Sequence, residues 1–469
     1  MEVRIIGATA FGTIASLLFA TACTVGPDYK RPIVDTPERY RSASDSSTGA
    51  ASLADREWWE LFQDPQLQML IRTGLDRNLD VRVAAARILQ AQAELGIVRA
   101  DQFPTVAAGA AAARQRVAQS LDLPAAAYST LELSVSTSWE IDFWGKFRRA
   151  TESARALLLA SEWGRRAIVT SLISQLASAY FDLRELDLEL DIAKRTLATR
   201  QESLQLTQTR ESRGATSLVD VRQAEQLVFT AAATIADLER GIEQQENLLS
   251  VLVGDRPGPI TRGQLLVDQP LTVDVDVPAG LPSALLERRP DIRQAEQELV
   301  AANADIGVAK AAYFPQINLT GAGGFQSAAL ASLFSGPAGL FFAGAALTQP
   351  LFTGGKLKSN VALAEARREE ALLSYQQTIQ QSLRDVSDSL VAYRKAREFR
   401  EQQEFLTRSA QDAQRLADVR YQGGATSYLE VLDSGTRLFA AELGLAQARL
   451  NELLTVVRTY RALGGGWDQ

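Results

Sequence analysis

The sequence of 469 residues contains no histidine and a single cysteine. Without histidine the chain can supply neither a histidine general base nor a histidine metal ligand, and Ser-His-Asp chemistry is excluded. The lone cysteine, Cys23, allows no disulfide and no thiolate metal cluster within one chain. The formal net charge of −7 lacks the basic excess that nucleic-acid binding requires. We therefore expect no catalytic residues, no metal, no cofactor and no nucleic-acid partner.

The start of the chain has the layout of a secretory signal. A short charged start precedes an apolar run from Ile5 to Ala20, which is short for a membrane span of about 20 residues. Small residues then lead to Cys23, as in a bacterial lipobox, although alanine stands where leucine is usual. Thr24 rather than aspartate after the cysteine favours the outer membrane. We expect a signal peptide over 1–22 and lipid attachment at Cys23; a plain signal peptide with an unmodified cysteine is the alternative.

Several short motifs occur twice in the chain, in the same order, at a separation of 210 or 211 residues. The tetrapeptide Gly-Ala-Thr-Ser is the longest of them and occupies Gly214, Ala215, Thr216 and Ser217, then Gly424, Ala425, Thr426 and Ser427. This order indicates a tandem duplication whose period is too long for a solenoid. Glycine adopts positive φ without penalty and serine caps helices, so each copy is predicted to end one helix and begin the next.

Long helices are predicted on both sides of each tetrapeptide. No proline occurs from Trp144 to Arg213, and apolar residues there follow a 4-3-4-3 spacing that continues beyond the turn. A period of 3.5 residues is typical of left-handed coiled coils, and a helix of about 70 residues is on the order of 100 Å long. A rod-like periplasmic scaffold is one interpretation of this pattern.

A period of two replaces the helical period between Phe103 and Trp144. From Leu131 to Phe143 apolar residues alternate with hydroxyls and carboxylates, which fits a membrane-crossing strand with lipid on one side and water on the other. A strand of a soluble sandwich is the alternative. We expect one strand pair at about 104–143 and a second at about 315–352. Four strands cannot close a barrel, so a membrane-spanning sheet requires several copies of the chain.

The predicted fold is mainly α with a small β part, arranged as two repeats of helices, a strand pair and a long antiparallel helical hairpin. In chain order we expect a signal peptide (1–22), a lipidated extended tail (23–56), a first repeat (57–254, hairpin 144–254), an equatorial linker (255–282), a second repeat (283–463, hairpin 354–463) and a C-terminal tail (464–469).

A series of motifs in order connects the chain to a known family. They are Cys23, Gly26–Pro32, Trp58–Trp59, Arg289–Arg293, Tyr313–Pro315, Tyr421–Gly424, Tyr428–Asp433 and Leu463–Trp467. With these motifs the whole mature chain resembles the outer membrane efflux proteins, the TolC-like family, and within it the lipoprotein branch typified by OprM and CusC.

The resemblance implies a homotrimer in which three sets of four strands form one twelve-stranded barrel in outer-membrane lipid. The helical hairpins of the family continue this barrel as an α-barrel in the periplasm. Such proteins are passive exit ducts rather than enzymes. They act in tripartite pumps with a periplasmic adaptor, also called a membrane fusion protein, and an inner-membrane RND-type transporter.

The resemblance also implies an aperture at the periplasmic end of the duct. Asp220, Tyr421, Glu430 and Asp433 match the aperture residues of the family position by position. Glu430 and Asp433 are three residues apart and therefore share one helix face. In a trimer each would form a ring of carboxylates that favours cations and raises the pKa of its members. The alternative is that these carboxylates are only solvated helix charges.

The helix tips themselves are the implied contacts with the adaptor. They are the turns Gly214–Ser217 and Gly424–Ser427. Thr426 stands where the family has a basic residue in the link between tip helices. Arg420 and Arg437 are both candidates to replace that residue, and the sequence does not decide between them.

Three other functions compete with the efflux duct. A duct for type I protein secretion would use the same fold. A periplasmic coiled-coil structural protein would need no strands, and a glycosidase would need a compact domain with paired carboxylates, for which no part of the chain remains. The sequence does not identify a transported substrate, and a single methionine beyond the start, Met69, gives no sign of methionine-based copper handling.

Overall fold

The structure, a computed structural model, describes residues 24–41, 52–118, 126–269 and 280–467. The predicted signal peptide and Cys23 lie outside the described residues. The chain divides into two compact units, each assembled from three stretches of sequence. The sheet unit comprises Met1–Ile33, Arg87–Glu162 and Gln294–Gln376, and the hairpin unit comprises Val34–Ala86, Trp163–Arg293 and Gln377–Gln469.

Helices dominate the described residues, and the strands occur in two pairs. The helices are α1 (Trp58–Leu61), α2 (Pro65–Arg77), α3 (Leu79–Ala100), α4 (Lys146–Ser212), α5 (Leu218–Leu252), α6 (Pro282–Arg288), α7 (Pro290–Ala311), α8 (Lys356–Gln422) and α9 (Tyr428–Ala462). The strands are β1 (Thr105–Val117), β2 (Ala126–Ile141), β3 (Gln316–Ser327) and β4 (Gly339–Thr348). None of the helices in the described part of the chain combines the length and apolar character needed to cross a membrane.

The helices confirm the duplication. Helices α4 and α8 both contain 67 residues, and α5 and α9 both contain 35. The turns that join these helices have the same backbone conformation at their glycine, since φ is 72° at Gly214 and 71° at Gly424. Positive φ favours glycine at both positions and ends the long helices α4 and α8 there. The predicted helical hairpins are therefore confirmed.

The four strands form one antiparallel sheet in the order β1-β2-β3-β4. The central pair, β2 with β3, joins the two repeats, with Leu131 opposite Ser327 and Ile141 opposite Ile317. Boundaries of β2 and β4 differ from the sequence prediction, and β2 ends at Ile141 rather than at Phe143. Strand β2 begins at Ala126, five residues before the predicted Leu131. Strand β4 ends at Thr348 rather than at Phe352, because proline at position 350 has no N–H to donate to a neighbouring strand.

The residues that directly follow the predicted lipid-attachment site make contacts within the sheet unit. The N–H of Val25 donates to the carbonyl of Trp144 at 3.0 Å, and Asp28 forms an ion pair with Arg149 at 2.7 Å. Gly26 has a φ of 107°, and a Cβ there would lie 2.5 Å from the Cα of Gly307. This close approach of two glycines fixes the first residues of the predicted tail.

Asp64 organises the core of the hairpin unit. Its carboxylate is fully buried and caps α2 by accepting from the N–H of Gln66 at 2.8 Å. It also accepts from the Tyr180 hydroxyl at 2.7 Å, from the N–H of Gln264 at 2.9 Å and from the Gln269 amide at 2.9 Å. Burial alone would raise the pKa of Asp64, but these hydrogen bonds outweigh it and lower the pKa.

We predict that Asp64→Ala destabilises the protein by at least about 1–3 kcal/mol, the cost of leaving one buried donor without an acceptor. Because the pKa of Asp64 is depressed in the folded state, its contribution is present above the unfolded pKa and is lost as the pH falls through the folded value. Thermal unfolding of the purified protein, followed by circular dichroism, measures the effect. Asp76→Ala, at an exposed position on the same helix, is the control, and equal losses in both variants would contradict the assignment.

Candidate functional site at the hairpin tips

The two tip turns lie beside a small hydrophobic cluster in the hairpin unit. This tip cluster contains Ala224, Ala417, Tyr421, Tyr428 and Val431, contributed by α5, α8 and α9. The rings of the two tyrosines are 5.5 Å apart with an interplanar angle of 58°. The tip cluster therefore brings residues of both hairpins together close to their turns.

The first tip is closed by a capping box. The N–H of Asp220 donates to the Ser217 hydroxyl at 3.3 Å, and the Asp220 carboxylate accepts from the N–H of Ser217 at 3.0 Å. The hydroxyls of Thr216 and Ser217 donate to the same carboxylate. The hydrogen bond from Thr216, followed by the bond from the Ser217 backbone, lowers the pKa of Asp220. Asp220 is thus ionised at neutral pH, and its carboxylate completes the capping box at the N-terminus of α5.

The second tip has the same sequence but a different set of contacts. Ser427 occupies the N-cap of α9 and makes no side-chain capping hydrogen bond. Glu430, the equivalent of Asp220, accepts from the Thr426 hydroxyl and from the Arg420 guanidinium, the latter at 3.0 Å. Its longer side chain reaches across the turn to α8 instead of returning to the N-cap backbone. The second turn is held by an ion pair between its two helices.

The structure answers the question that the sequence left open about Arg420 and Arg437. Arg420 pairs with Glu430 across the tip turn, whereas Arg437 pairs with Asp433 at 2.9 Å, one turn along the same helix. Of these two arginines, Arg420 is therefore the one that links two helices at the second tip. Both pairs are partly exposed, and ion pairs of this kind contribute about 0.2–1 kcal/mol each.

Tyr421 is the buried member of the predicted set. Its hydroxyl has no hydrogen-bond partner among the described residues, and the Arg210 guanidinium lies 4.4 Å from the centre of its ring. Arg210 also donates to the carbonyls of Tyr421 and Gln422, at 3.3 and 3.4 Å, which ties α4 to the end of α8. The sequence analysis missed Arg210. The duplication could have found it, because Arg210 and Arg420 both stand four residues before the tip glycine.

The predicted aperture residues are thus distributed over two tips rather than gathered in one cluster. The hydrogen bonds that the structure shows for Asp220 lie within the first tip, those of Glu430 lie within the second, and Asp433 pairs along its own helix. Among the described residues, no group of three or more Asp, Glu, Cys or His side chains is arranged to hold a metal ion. The tip residues instead form charged and polar contacts that cap helix ends and join neighbouring helices.

Comparison with known proteins gives this arrangement a family. The model described as outer membrane efflux protein matches the chain over residues 70–255 and again over 281–465. The chain belongs to the outer membrane efflux protein family. The two matched ranges each contain one strand pair and one long hairpin, in agreement with the duplication. As a member of this family, the chain is an efflux protein of the outer membrane.

Relatives and solved structures match nearly the whole chain. It is 36% identical over 456 residues to the probable efflux pump outer membrane protein TtgC of Pseudomonas putida, covering 95% of this chain and 93% of that protein. It is 34% identical over 474 residues to the outer membrane protein OprJ of Pseudomonas aeruginosa, covering 98% and 97%. The fold is similar to that of the outer-membrane channel OprN, with a TM-score of 0.86, 32% identity and coverage of 95% of this chain and all of that one.

The duplicated tetrapeptide provides its own matched control for the capping box. We predict that Ser217→Ala accelerates amide hydrogen exchange in the first turn of α5, because the loss of an N-cap side chain costs about 1 kcal/mol. Ser427→Ala removes a serine that makes no capping bond and is expected to leave exchange in α9 nearly unchanged. Hydrogen–deuterium exchange with mass spectrometry on both variants measures the difference. Equal acceleration at the two tips would contradict the asymmetry.

Proposed function

We propose that this chain forms, as a homotrimer, the exit duct of a tripartite efflux pump and conducts small molecules passively from the periplasm to the exterior. The observation that carries the proposal is the open four-stranded sheet. Within the described residues β1 and β4 each pair on one side only. A sheet edge with unpaired backbone groups is not tolerated in lipid, so edge strands of neighbouring copies have to pair. Three copies of four strands give a barrel of about twelve strands.

The surface of the sheet supports a membrane location for it. Phe341, Phe342 and Leu347 of β4 and Val106 of β1 are exposed in the single chain. Such a concentration of exposed apolar side chains on edge strands is costly in water and suits contact with lipid or with the next copy. The proposed lipid anchor at Cys23 would add a second attachment to the outer membrane. The packing of Val25 and Asp28 within the sheet unit supports an anchor close to that unit.

The partners follow from the family rather than from the chain itself. We assign the turns Gly214–Ser217 and Gly424–Ser427 to contact with a periplasmic adaptor, which would connect the duct to an inner-membrane RND-type transporter. Several of the relatives are named as outer-membrane proteins of efflux pumps for toluene or antibiotics, which supports small molecules as cargo. A duct of this kind performs no chemistry on its cargo, and the chain is proposed not to be an enzyme.

The tip residues are proposed to form the gate of this duct. In a trimer Glu430 and Asp433 would each form a ring of three carboxylates, and Asp220 would form a third ring at the first tips. Tyr421, pinned by Arg210, and the Arg420–Glu430 pair would hold the hairpin tips in one closed arrangement. Opening then requires these contacts between helices to break, while the capping box of Asp220 stays intact because it lies within one turn.

The oligomeric duct is tested directly on the purified protein. We expect light scattering in mild detergent to give three times the mass of one chain, and we expect the same sample to produce stepwise ion conductance in a planar lipid bilayer. A single-chain mass, or a trimer that never conducts, would overturn the proposal. The conductance measurement needs neither an adaptor nor a transporter, so it separates the channel from the rest of the pump.

The gate is tested by comparing two arginines of equal charge. We predict that Arg420→Gln raises the basal conductance of single channels several-fold, because it removes the ion pair that joins α8 to α9 at the second tip. Arg437→Gln changes the net charge by the same amount but removes only a pair within α9, and is expected to leave basal conductance nearly unchanged. Planar-bilayer recordings at equal salt measure both variants. Similar conductance changes in the two would argue for a general charge effect and against the gate.

A further inference from the structure

A cavity of about 210 Å³ lies in the hairpin unit, next to the tip cluster, and shares Tyr428 and Val431 with it. It is lined by residues of both hairpins, among them Arg200, Ser203, Leu227, Tyr428, Leu438 and Phe439. Arg200 and Ser203 belong to α4, Leu227 belongs to α5, and the remaining three belong to α9. Whatever occupies the cavity therefore touches both repeats of the duplicated chain.

Arg200 supplies the buried charge of this cavity. The residue is only 7% exposed, and one of its terminal N–H groups donates to the carbonyl of Leu227 at 2.9 Å. Its guanidinium carbon lies 4.9 Å from the centre of the Phe439 ring. Among the described residues Arg200 forms no ion pair with a carboxylate, and burial lowers its pKa. An arginine remains charged under these conditions, so Arg200 is a buried cation with which no carboxylate of the described residues forms a direct ion pair.

The other two buried arginines in the described part of the chain each pair with a carboxylate. Arg149 pairs with Asp28 and Glu152, and Arg184 pairs with Asp187. Their burial is offset by a carboxylate within the same fold, as is usual for buried charges. Arg200 is as deeply buried, but the contacts of its guanidinium are a hydrogen bond to the Leu227 carbonyl and the face of the Phe439 ring. Its remaining N–H groups are free to bind an anion from outside the chain.

The rest of the lining is mixed in character. Leu227, Val431, Leu438 and Phe439 form an apolar wall beside the guanidinium. The hydroxyls of Ser203 and Tyr428 lie 3.3 Å apart and bond to each other, so they join α4 to α9 at the edge of the cavity.

Two carboxylates also line the cavity but are engaged elsewhere. Asp418 accepts two hydrogen bonds from the Gln414 amide at 3.0 Å each, and Glu442 faces the Gln411 amide at 3.5 Å. Both are more exposed than Arg200, and neither forms an ion pair with it. They leave the guanidinium as the buried charge of the cavity.

We propose that this cavity binds a small amphiphilic carboxylate, whose oxygens accept hydrogen bonds from Arg200 and whose apolar body packs against Leu227, Leu438 and Phe439. A planar guanidinium matches the two oxygens of a carboxylate, and charge-assisted bonds of this kind are about twice as strong as neutral ones. The volume suits a ligand of the size of a single substituted aromatic ring and is too small for a drug-sized molecule. Because the walls come from both repeats, a bound carboxylate stabilises the packing of one hairpin on the other.

The probe for this proposal is 4-fluorobenzoate, with 4-fluorobenzamide as a neutral analogue of the same shape. Fluorine NMR titration of the purified full-length protein in detergent measures both. We expect the carboxylate to bind about tenfold more tightly than the amide, and Arg200→Gln to weaken carboxylate binding by about tenfold or more. Arg222→Gln is the matched control, since Arg222 is exposed on α5 and pairs with Glu225, and is expected to leave binding unchanged.

A second variant keeps the test decisive if Arg200→Gln does not fold. Leu438→Trp fills the cavity without touching its charge and is expected to abolish carboxylate binding while the trimer remains intact by light scattering. Equal binding of carboxylate and amide, equal binding by the wild type and either cavity variant, or no carboxylate binding by the wild type would each overturn the proposal. Because the titration does not involve transport, its failure is distinguishable from failure of the proposed duct.

Discussion

Backbone hydrogen bonding at the edges of a sheet is the constraint on which the rest of this structure depends. A strand in hydrocarbon has no water to satisfy its N–H and C=O groups, so each edge must be paired by another strand. The chain contributes four strands in one antiparallel sheet, and the central pair β2–β3 already unites the two repeats. Duplication has therefore joined the two strand pairs without closing the sheet, and we propose that neighbouring copies of the chain close it.

The same constraint separates this protein from a rod-like scaffold. Coiled coils built from helices of 67 and 35 residues would be sufficient for a spacer. The spacing of their apolar residues alone does not distinguish a spacer from a channel. The sheet does distinguish them, because a spacer has no use for a four-stranded sheet with exposed Phe341 and Phe342. Together with the double match to the outer membrane efflux protein model, the sheet excludes the scaffold interpretation.

Periodicity and capping signals predicted much of the fold from sequence. The 4-3-4-3 spacing predicted the hairpins, and the repeated tetrapeptide Gly-Ala-Thr-Ser predicted the turns where one helix ends and the next begins. The sequence patterns could not predict contacts between residues that are far apart in the chain. The carboxylate of Asp64 is held by Tyr180 and Gln264, more than a hundred residues away, and no local pattern reports such partners. Strand β2 begins earlier than predicted because Tyr128 and Ser129 reverse the alternation of apolar and polar residues that starts at Leu131, so the period-two signal is lost there.

The tips show the same limit at the level of the candidate site. Both contain Gly-Ala-Thr-Ser, so sequence reasoning treats them alike, yet Ser217 caps its helix and Ser427 does not. The cause lies three residues further on, where aspartate at 220 is short enough to return to the N-cap and glutamate at 430 reaches Arg420 instead. One methylene group redirects the carboxylate from its own backbone to the opposite helix.

This single methylene has a consequence for symmetry. Six hairpins with identical tips would be free to behave as six equivalent units around a common axis. In the proposed trimer, each chain would supply one hairpin whose tip is capped within its own turn and one whose tip is held by the Arg420–Glu430 pair. The symmetry of the proposed ring of six hairpins would thereby be three-fold rather than six-fold, with three tips that can be released set between three that stay capped.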